Sequence, residues 1–545
     1  MSNKHLGSKN YEIFIPVVLS GFIFFALGLH SWALIGIGWD ELWDFHGVND
    51  AFSAASSFFN GETFDSFTFD LKWFGNATRW PFYLFWRFLL QFPWRDLSGI
   101  NPDAFILASG YIKLNHLNAI VFAFFGVCAT SFWAYNLFGK RTCILSFVLL
   151  LLLPTWMGHG WMNSKDIPFA SAYTLYSIGC SFLCLSRERI LFLGAAHLSR
   201  TQLGSIFRLI GISLMVGSRI SSLIFVLVTE IILFFVSRKD ASRRTQLISL
   251  IGALLIAFCL TPQAWSEPLS YPAQAISFIA SRQAVSGPYV VVNYLFTNFY
   301  DLIPLSIVLG LVCFVLVSPF SSPYFGRPFI PLLLQVFLSP ILLILGGKSI
   351  YNELRHILFI WPPITICAAF GVTRLCWLLR CSGRTNSAAL LQILFCLVLT
   401  WQSVELISLS PYQYAYRGEL SRLTSLLSGE SHGWRSDYWG LSNLETIDSC
   451  LRDKGCANRI QSEKLVVADS YNQDLLRSLS SLYHPSSSLS AQWSPQKGGL
   501  AFSLDSTSNP KCLTLASTER PSYFPVPSTT TFSRVISCPY LVGVD

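Results

Sequence analysis

IFIPVVLSGFIFFALGLHSWALIGI, residues 13–37, is an apolar run without a single Asp, Glu, Lys or Arg. A run of this length is enough to cross a bilayer as a helix. Gly38, Trp39, Asp40 and Glu41 follow it directly. Two carboxylates at the mouth of a membrane span are costly to hold near hydrocarbon. Their placement is better explained by chemistry at the membrane surface than by packing.

The rest of the chain agrees with a membrane setting. Of 545 residues, 52% are hydrophobic and 15% aromatic, and only 12% are charged. Such a composition defines a polytopic α-helical membrane protein and excludes an ordinary soluble enzyme. The net charge of +8 comes from basic residues grouped in short connections between apolar runs, where they orient helices. No nucleic-acid partner is implied.

Window hydropathy gives about eleven spans, near 13–37, 104–137, 142–157, 167–185, 203–218, 220–237, 246–262, 301–319, 329–346, 356–376 and 386–408. Lys4 and Lys9, Lys140 with Arg141, Arg187 to Arg200, Arg238 to Arg244, Arg327, and Arg374 to Arg384 fall in alternate connections. One threading sends all of them, and the N-terminus, to the cytoplasm. The outer connections are then 38–103, 158–168, 263–300 and 347–355, together with the tail from Pro411. No cleavage-site pattern follows the first span, which reads as a retained anchor. The chain thus divides into a transmembrane domain, 1–409, and an extracytoplasmic mixed α/β domain, 410–545.

The 38–103 loop is too long for a simple connection. After its acidic first half, the stretch Arg79 to Leu90, RWPFYLFWRFLL, reads as a helix in the interface, its rings at headgroup depth and its arginines reaching for phosphates. An aromatic belt that merely anchors the loop is the plainer alternative. The Asn76-Ala77-Thr78 sequon is better read as a chance triplet than as a glycan acceptor.

Cations gather at the other outer turns. Asn163, Ser164, Lys165 and Asp166 end one helix pair, providing a cation with hydrogen-bonding neighbours suited to a phosphate. The plain alternative is a capped turn, with Asp166 as N-cap and Pro168 in the next helix's first turn. Lys348, Arg355 and His356 form a second cluster, and Arg219 follows Gly217 and Ser218. Snorkelling to the interface accounts for any one of these taken alone. His116, within the second span, reads as a core histidine bonded to a neighbouring helix.

Ten of the fourteen cysteines lie in or beside the spans. The tail holds Cys450, Cys456, Cys512 and Cys538, enough for two disulfides in an oxidising compartment, with the pairing open. Lys464 to Ala468 reads as a strand, and the serine-rich stretch 478–494 as loop.

Asp40-Glu41, the segment Asn163 to Phe169, the segment Leu354 to Phe359 with Pro362-Pro363, and Pro411 to Tyr416 with Asp437 to Gly440 together resemble the GT-C superfamily of membrane glycosyltransferases. Within it they look most like the bacterial protein O-mannosyltransferase and aminoarabinose transferase branch. The resemblance implies transfer of a sugar from a polyprenyl-phosphate-linked donor to a lipid, protein or polysaccharide hydroxyl on the outer face of a bacterial inner membrane. It implies Asp40 as the base, which is chemically reasonable because a hydroxyl is a poor nucleophile until a carboxylate takes its proton. Glu41 would orient Asp40 or the acceptor. Lys165 and Arg355, then His356, Lys348 and Arg219, would hold the donor phosphate, with Asn163 and Asp166 in support.

No cofactor is expected. A divalent cation at Asp40, Glu41 and His46 is the alternative, but no ligand spacing identifies one. No glycine fingerprint for a nucleotide appears either. A transporter or flippase of a lipid-linked sugar, or of another anionic lipid, would also need many spans and buried charges. Without an inverted repeat, and with its charged motifs on one face, the chain reads as an enzyme.

Overall fold

The computed structural model describes residues 11–36, 41–68, 71–89, 104–185, 189–192, 196–236, 240–282, 287–321, 324–346, 354–428, 441–456, 458, 466–467, 499–503, 513–522 and 528–538. Asp40, Lys348, the 437–440 segment and the serine-rich stretch lie outside the described residues.

Helix α1 (Tyr11–Leu34) is followed by two helices in the long 38–103 connection, α2 (Glu41–Phe59) and α3 (Trp80–Leu89). Then come α4 (Ala104–Phe138), α5 (Lys140–Leu151), α6 (Pro154–Gly160), α7 (Asp166–Cys184), α8 (Arg200–Ser218), α9 (Ser222–Val236) and α10 (Asp240–Cys259). A short hairpin of β1 (Arg189–Phe192) and β2 (Ala196–Ser199) joins α7 to α8. Helices α11 (Tyr271–Arg282), α12 (Pro288–Leu302), α13 (Leu305–Val317), α14 (Ile330–Gly346), α15 (Trp361–Cys381) and α16 (Thr385–Ser408) complete the apolar part.

Every apolar segment of the sequence therefore carries a helix or a bent pair of helices. Among the described residues, five helical segments are long and apolar enough to cross a membrane: 110–138, 166–184, 327–346, 355–381 and 385–408. Two bent pairs raise the number to seven, α5 with α6 at 62° and α12 with α13 at 111°. Each bend falls just before or at a proline, Pro154 or Pro304, which has no N–H to continue the ladder. The protein is an integral membrane protein of helical, polytopic type.

Without a strong hydrophobic drive between helices in lipid, close approach and polar contacts hold such a bundle together. A Cβ on Gly179 of α7 would lie 2.6 Å from the Gly204 carbonyl of α8. Deeper in the bundle, Arg208 of α8 is fully buried and donates to Glu230 of α9 at 2.6 Å and to Ser249 of α10 at 2.6 Å. Tyr176 of α7 donates to the same glutamate at 2.8 Å. This charge is fully paired, as membrane burial demands, and it ties four helices together.

Besides this buried network, polar contacts occur toward the two ends of the bundle. Thr142 meets Thr373, and Arg374 reaches Ser321 and the Phe320 carbonyl, at the end where the basic connections lie. The candidate site occupies the other end.

In the tail, α17 (Glu419–Ser428) and α18 (Asn443–Arg452) precede a four-stranded sheet of β3 (Val466–Val467), β4 (Gly499–Ser503), β5 (Leu513–Ser522) and β6 (Ser528–Cys538). Its order is β3-β4-β6-β5, with β3 parallel to β4 and the other pairs antiparallel, and α18 packs on β5 and β6. The expected strand at 464–468 is described over Val466–Val467. Cys450 and Cys456 form a disulfide. Tyr412, Tyr414 and Tyr416, just past α16, are buried in the main core. The Gly158 of α6 lets this segment in: a Cβ there would lie 2.0 Å from the Tyr414 nitrogen.

Candidate active site

The site grows from α2, which begins at Glu41 and carries acids in its first turn, where the helix dipole favours them. Glu41 is buried, and one of its carboxylate oxygens meets Nε2 of His116 on α4. Asp44, the other acid of that first turn, is buried as well. Its carboxylate takes Arg79 at 3.1 Å and also pairs with the Lys165 ammonium.

Arg79 corrects the expectation drawn for the interfacial helix. The helix is present as α3, and Leu84, Phe85 and Phe88 are exposed apolar groups on it, as an interfacial position requires. Arg79 itself does not reach toward phosphates. It is 4% exposed and donates to the Asp44 carbonyl at 3.3 Å and the Gly75 carbonyl at 3.2 Å, besides its ion pair. A buried guanidinium needs partners on several of its donors, and the 44 and 75 backbones supply them. Asn76 is also buried, donating to the Gly47 carbonyl at 3.0 Å, which leaves its amide no room for a glycan. Tyr83, beside them, donates to Asn49 at 2.8 Å, and burial pushes its hydroxyl up to about 12, so it acts as a neutral donor.

The cationic half is built on the α6–α7 turn. Asp166 is the first residue of α7, not its N-cap as expected. Asn163 does that work: its Oδ1 accepts from the backbone nitrogens of Lys165 at 3.2 Å and Asp166 at 2.9 Å. The Asn163 amide donates to the Asp166 carboxylate at 2.8 Å, and the same carboxylate pairs with Arg219. Arg219 follows the last residue of α8 and lies over the Phe169 ring at 5.5 Å.

Arg355 and His356 open the short 3₁₀ turn, 355–360, that leads into α15 and packs against α6 and α7. Arg355 is buried and donates to Nε2 of His356 at 3.4 Å. Arg219, Arg355, Lys165 and His159 all lie close enough to His356 to act on it electrostatically. Residues from three separate interhelical turns thus form one cationic cluster, and the Lys165–Asp44 pair joins it to the acidic half.

The fold brings together Glu41, Asn163, Lys165, Asp166, Arg219, Arg355 and His356. Asp40 adjoins Glu41 in the chain, and Lys348 stands seven residues before Arg355; both lie outside the described residues. His46 is exposed on α2, and no group of three metal-ligating side chains occurs among the described residues.

Four participants were not singled out as site residues from sequence: Asp44, Arg79, Lys113 and Asn115. The Asn115 amide donates to Ser164 at 2.5 Å, linking α4 to the cationic turn. The polar run Lys113, Asn115, His116, Asn118 inside an apolar helix was the available signal.

No family model and no curated protein matches the chain. Solved structures to which it is similar include ArnT from Cupriavidus metallidurans in the apo state, at 12% identity, 96% of this chain, 97% of that chain and a TM-score of 0.45. The same protein bound to undecaprenyl phosphate gives 11%, 96%, 97% and 0.46. The archaeal oligosaccharyltransferase AglB from Archaeoglobus fulgidus, in complex with an inhibitory peptide and a dolichol-phosphate, gives 10%, 86%, 64% and 0.45. Likeness at this level does not define a family, and the site rests on its own residues.

Proposed function

We propose that this protein is a polyprenyl-phosphate-dependent glycosyltransferase acting on the outer face of the membrane. The observation that carries the reading is the convergence of Lys165, Arg219, Arg355 and His356 at one end of the bundle, joined by the Lys165–Asp44 ion pair to the first turn of α2, where the buried acid Glu41 stands. Fixed cations next to carboxylates suit a reaction whose leaving group is a lipid phosphate and whose nucleophile must lose a proton.

In that reaction the acceptor oxygen attacks the anomeric carbon as the bond from that carbon to the phosphate oxygen breaks. Asp40 takes the acceptor proton, and Glu41 orients it. The departing phosphate is held by Lys165 and Arg355, with His356, Lys348 and Arg219 around them and Asn163 and Asp166 in support. A single displacement inverts the anomeric centre. The cations meet the phosphate charge without a divalent metal, and no cofactor is assigned.

The reading carries the eleven-span threading with it: transmembrane domain 1–409, a catalytic outer loop at 38–103, tail domain 410–545 outside, N-terminus in the cytoplasm and the protein in a bacterial inner membrane. The alternation of basic and non-basic connections along the chain supports that threading. A transporter reading would place its working charges at midplane. The buried pair Arg208–Glu230, at the middle of α8 and α9, is also bonded to Tyr176, Gln246 and Ser249, as a structural tie would be.

Mass spectrometry of envelope lipids, proteins and polysaccharides, and of polyprenyl-phosphate sugar pools, tests the function in cells with wild-type protein, Asp40→Asn or none. Loss of one sugar mass from an acceptor in both altered strains, with donor accumulation, is expected. Full retention of that sugar in Asp40→Asn cells, with loss in the null, would remove Asp40 as base and put transport first.

A further inference from the structure

The chain on either side of residues 37–40 is gripped by one short stretch of α4. On the near side, the Lys113 ammonium donates to the Trp32 carbonyl at 2.8 Å and the Ile35 carbonyl at 2.5 Å. The Trp32 indole returns a hydrogen bond to the Lys113 carbonyl at 2.7 Å. These are the orphan carbonyls at the C-terminal end of α1, where a cation also meets the negative end of the helix dipole. On the far side, one helical turn along α4, His116 meets Glu41.

An ammonium and an imidazole inside a membrane-spanning helix are expensive, and both are spent on the same junction. The His116 ring is fully buried, and among the described residues its Nδ1 has no hydrogen-bond partner. Its hydrogen bonding is therefore directed to Glu41 alone. Glu41 also acts electrostatically on Lys113, so the two grips lie close to one carboxylate.

We propose that Lys113 and His116 are positioning residues of the site: one holds the C-terminal end of α1 and the other holds Glu41 at the start of α2, and together they fix where the Glu41 carboxylate stands. The proposal rests on the glycosyltransferase reading for its kinetic consequence, and on geometry alone for the clamp. Helix packing by itself would make both residues structural. A positioning role differs because it is spent on the reaction step and not on donor binding, which belongs to Lys165, Arg219 and Arg355.

The test uses the full-length protein in proteoliposomes with a polyprenyl-phosphate sugar. His116→Ala and Lys113→Met should each lower kcat by about 100-fold, the cost of misplacing a reacting group by an ångström, with donor KM changed by less than about threefold. His116→Gln, whose amide can still donate to Glu41, should recover most of the rate. Carbodiimide labelling of the peptide containing Asp40 and Glu41, read by mass spectrometry, supplies an arm independent of transfer. Labelling should rise in His116→Ala and Lys113→Met and fall back in His116→Gln. Wild-type rates in both variants, or a rise in donor KM that His116→Gln does not reverse, would overturn the proposal. Unchanged labelling would overturn the clamp itself. A wild-type protein that transfers no sugar while labelling still responds would sink the glycosyltransferase reading and leave the clamp standing.

Discussion

Lys165 and Asp44 form an ion pair, and the carboxylate oxygen that holds Lys165 is the one that Arg79 also reaches, at 3.1 Å. Asp44 is thus the hinge between the two halves of the site, with one cation buried behind it and one partly exposed toward the cluster. Removing the charge from Asp44 leaves Arg79 buried without its counterion, which is among the costlier changes a protein interior can undergo. Asp44→Asn should lose about 3 kcal/mol of stability and most of the transfer activity. Thermal unfolding in detergent beside a transfer assay checks this, and an unaltered unfolding midpoint would show that Arg79 has another adequate partner.

The three cations of the cluster should differ in what their removal does. Lys165 is one-third exposed and Arg219 somewhat less, while Arg355 is buried. A charge in the drier position interacts more strongly with a phosphate. Arg355→Ala should raise donor KM most, by about 100-fold, and Lys165→Ala least, by about 10-fold, each about 1.4 kcal/mol per factor of ten. Because the groups share one anion, the double variant should lose less than the product of the singles. Donor titration with the purified protein gives the order directly. Equal and multiplicative effects would mean that the cations hold separate partners.

How much of this was legible in the sequence follows from which contacts are local. The apolar runs located the helices, because a span must be apolar whatever it packs against. The cations at 165, 219 and 355 could be placed at one face because alternate connections alternate sides. What could not be read was pairing. Arg79 looked like a headgroup ligand because its neighbours are aromatic, yet its burial is decided by α2 folding back onto α3. His116 was rightly a core histidine bonded to a neighbouring helix, but nothing local says that the neighbour is Glu41. The cap on α7 was assigned to Asp166 by residue type; Asn163, three residues earlier, reaches the free nitrogens instead and releases the acid to Arg219.

Asn163 makes a prediction of its own. Its one side chain accepts from two backbone nitrogens and donates to Asp166, so Asn163→Ala removes both the cap of α7 and the brace on that carboxylate. The cap is worth about 1 kcal/mol. Asn163→Asp keeps the acceptor but loses the donor and sets a second carboxylate against Asp166. Both variants should weaken donor binding, and only Asn163→Ala should lose the capping stability. Paired measurements of donor KM and unfolding midpoint separate the two effects. If Asn163→Asp binds donor as well as wild type, the brace on Asp166 is dispensable.

The tail cysteines bear on the threading. Cys450 and Cys456 are bonded. In the β5–β6 ladder Leu513 pairs with Ser537, and the next residues outward along the chain are Cys512 and Cys538. A second bridge between those two is the expected outcome, since both disulfides require the oxidising side of the membrane. Peptide mapping of the protein under non-reducing conditions should recover 450–456 and 512–538 as linked pairs. Alkylation of all four as free thiols in protein taken from the membrane would place the tail in the cytoplasm and invert the topology.

The tail is held down by a knot whose strength can be measured. Arg520 of β5 donates to both oxygens of Glu445 on α18, at 2.8 and 2.6 Å, and to the Ser410 carbonyl at 2.9 Å, and its guanidinium lies over the Tyr412 ring at 5.3 Å. Tyr412 donates to Glu445 at 2.8 Å, and Tyr412 itself is buried in the membrane domain's core. A charge-assisted, partly desolvated pair of this kind is coupled more strongly than an exposed one. A double-mutant cycle of Arg520→Ala and Glu445→Gln should give about 1–2 kcal/mol of coupling. The Leu441 carbonyl, four residues before Glu445, accepts from the Gly36 nitrogen at 2.9 Å, at the chain that leads into Asp40. Loosening the knot should therefore reach the acidic pair: Arg520→Ala should lower transfer several-fold while leaving donor KM close to wild type. A rate unaffected by Arg520→Ala, in protein whose coupling energy has been confirmed, would make the tail a cap with no hold on the reaction.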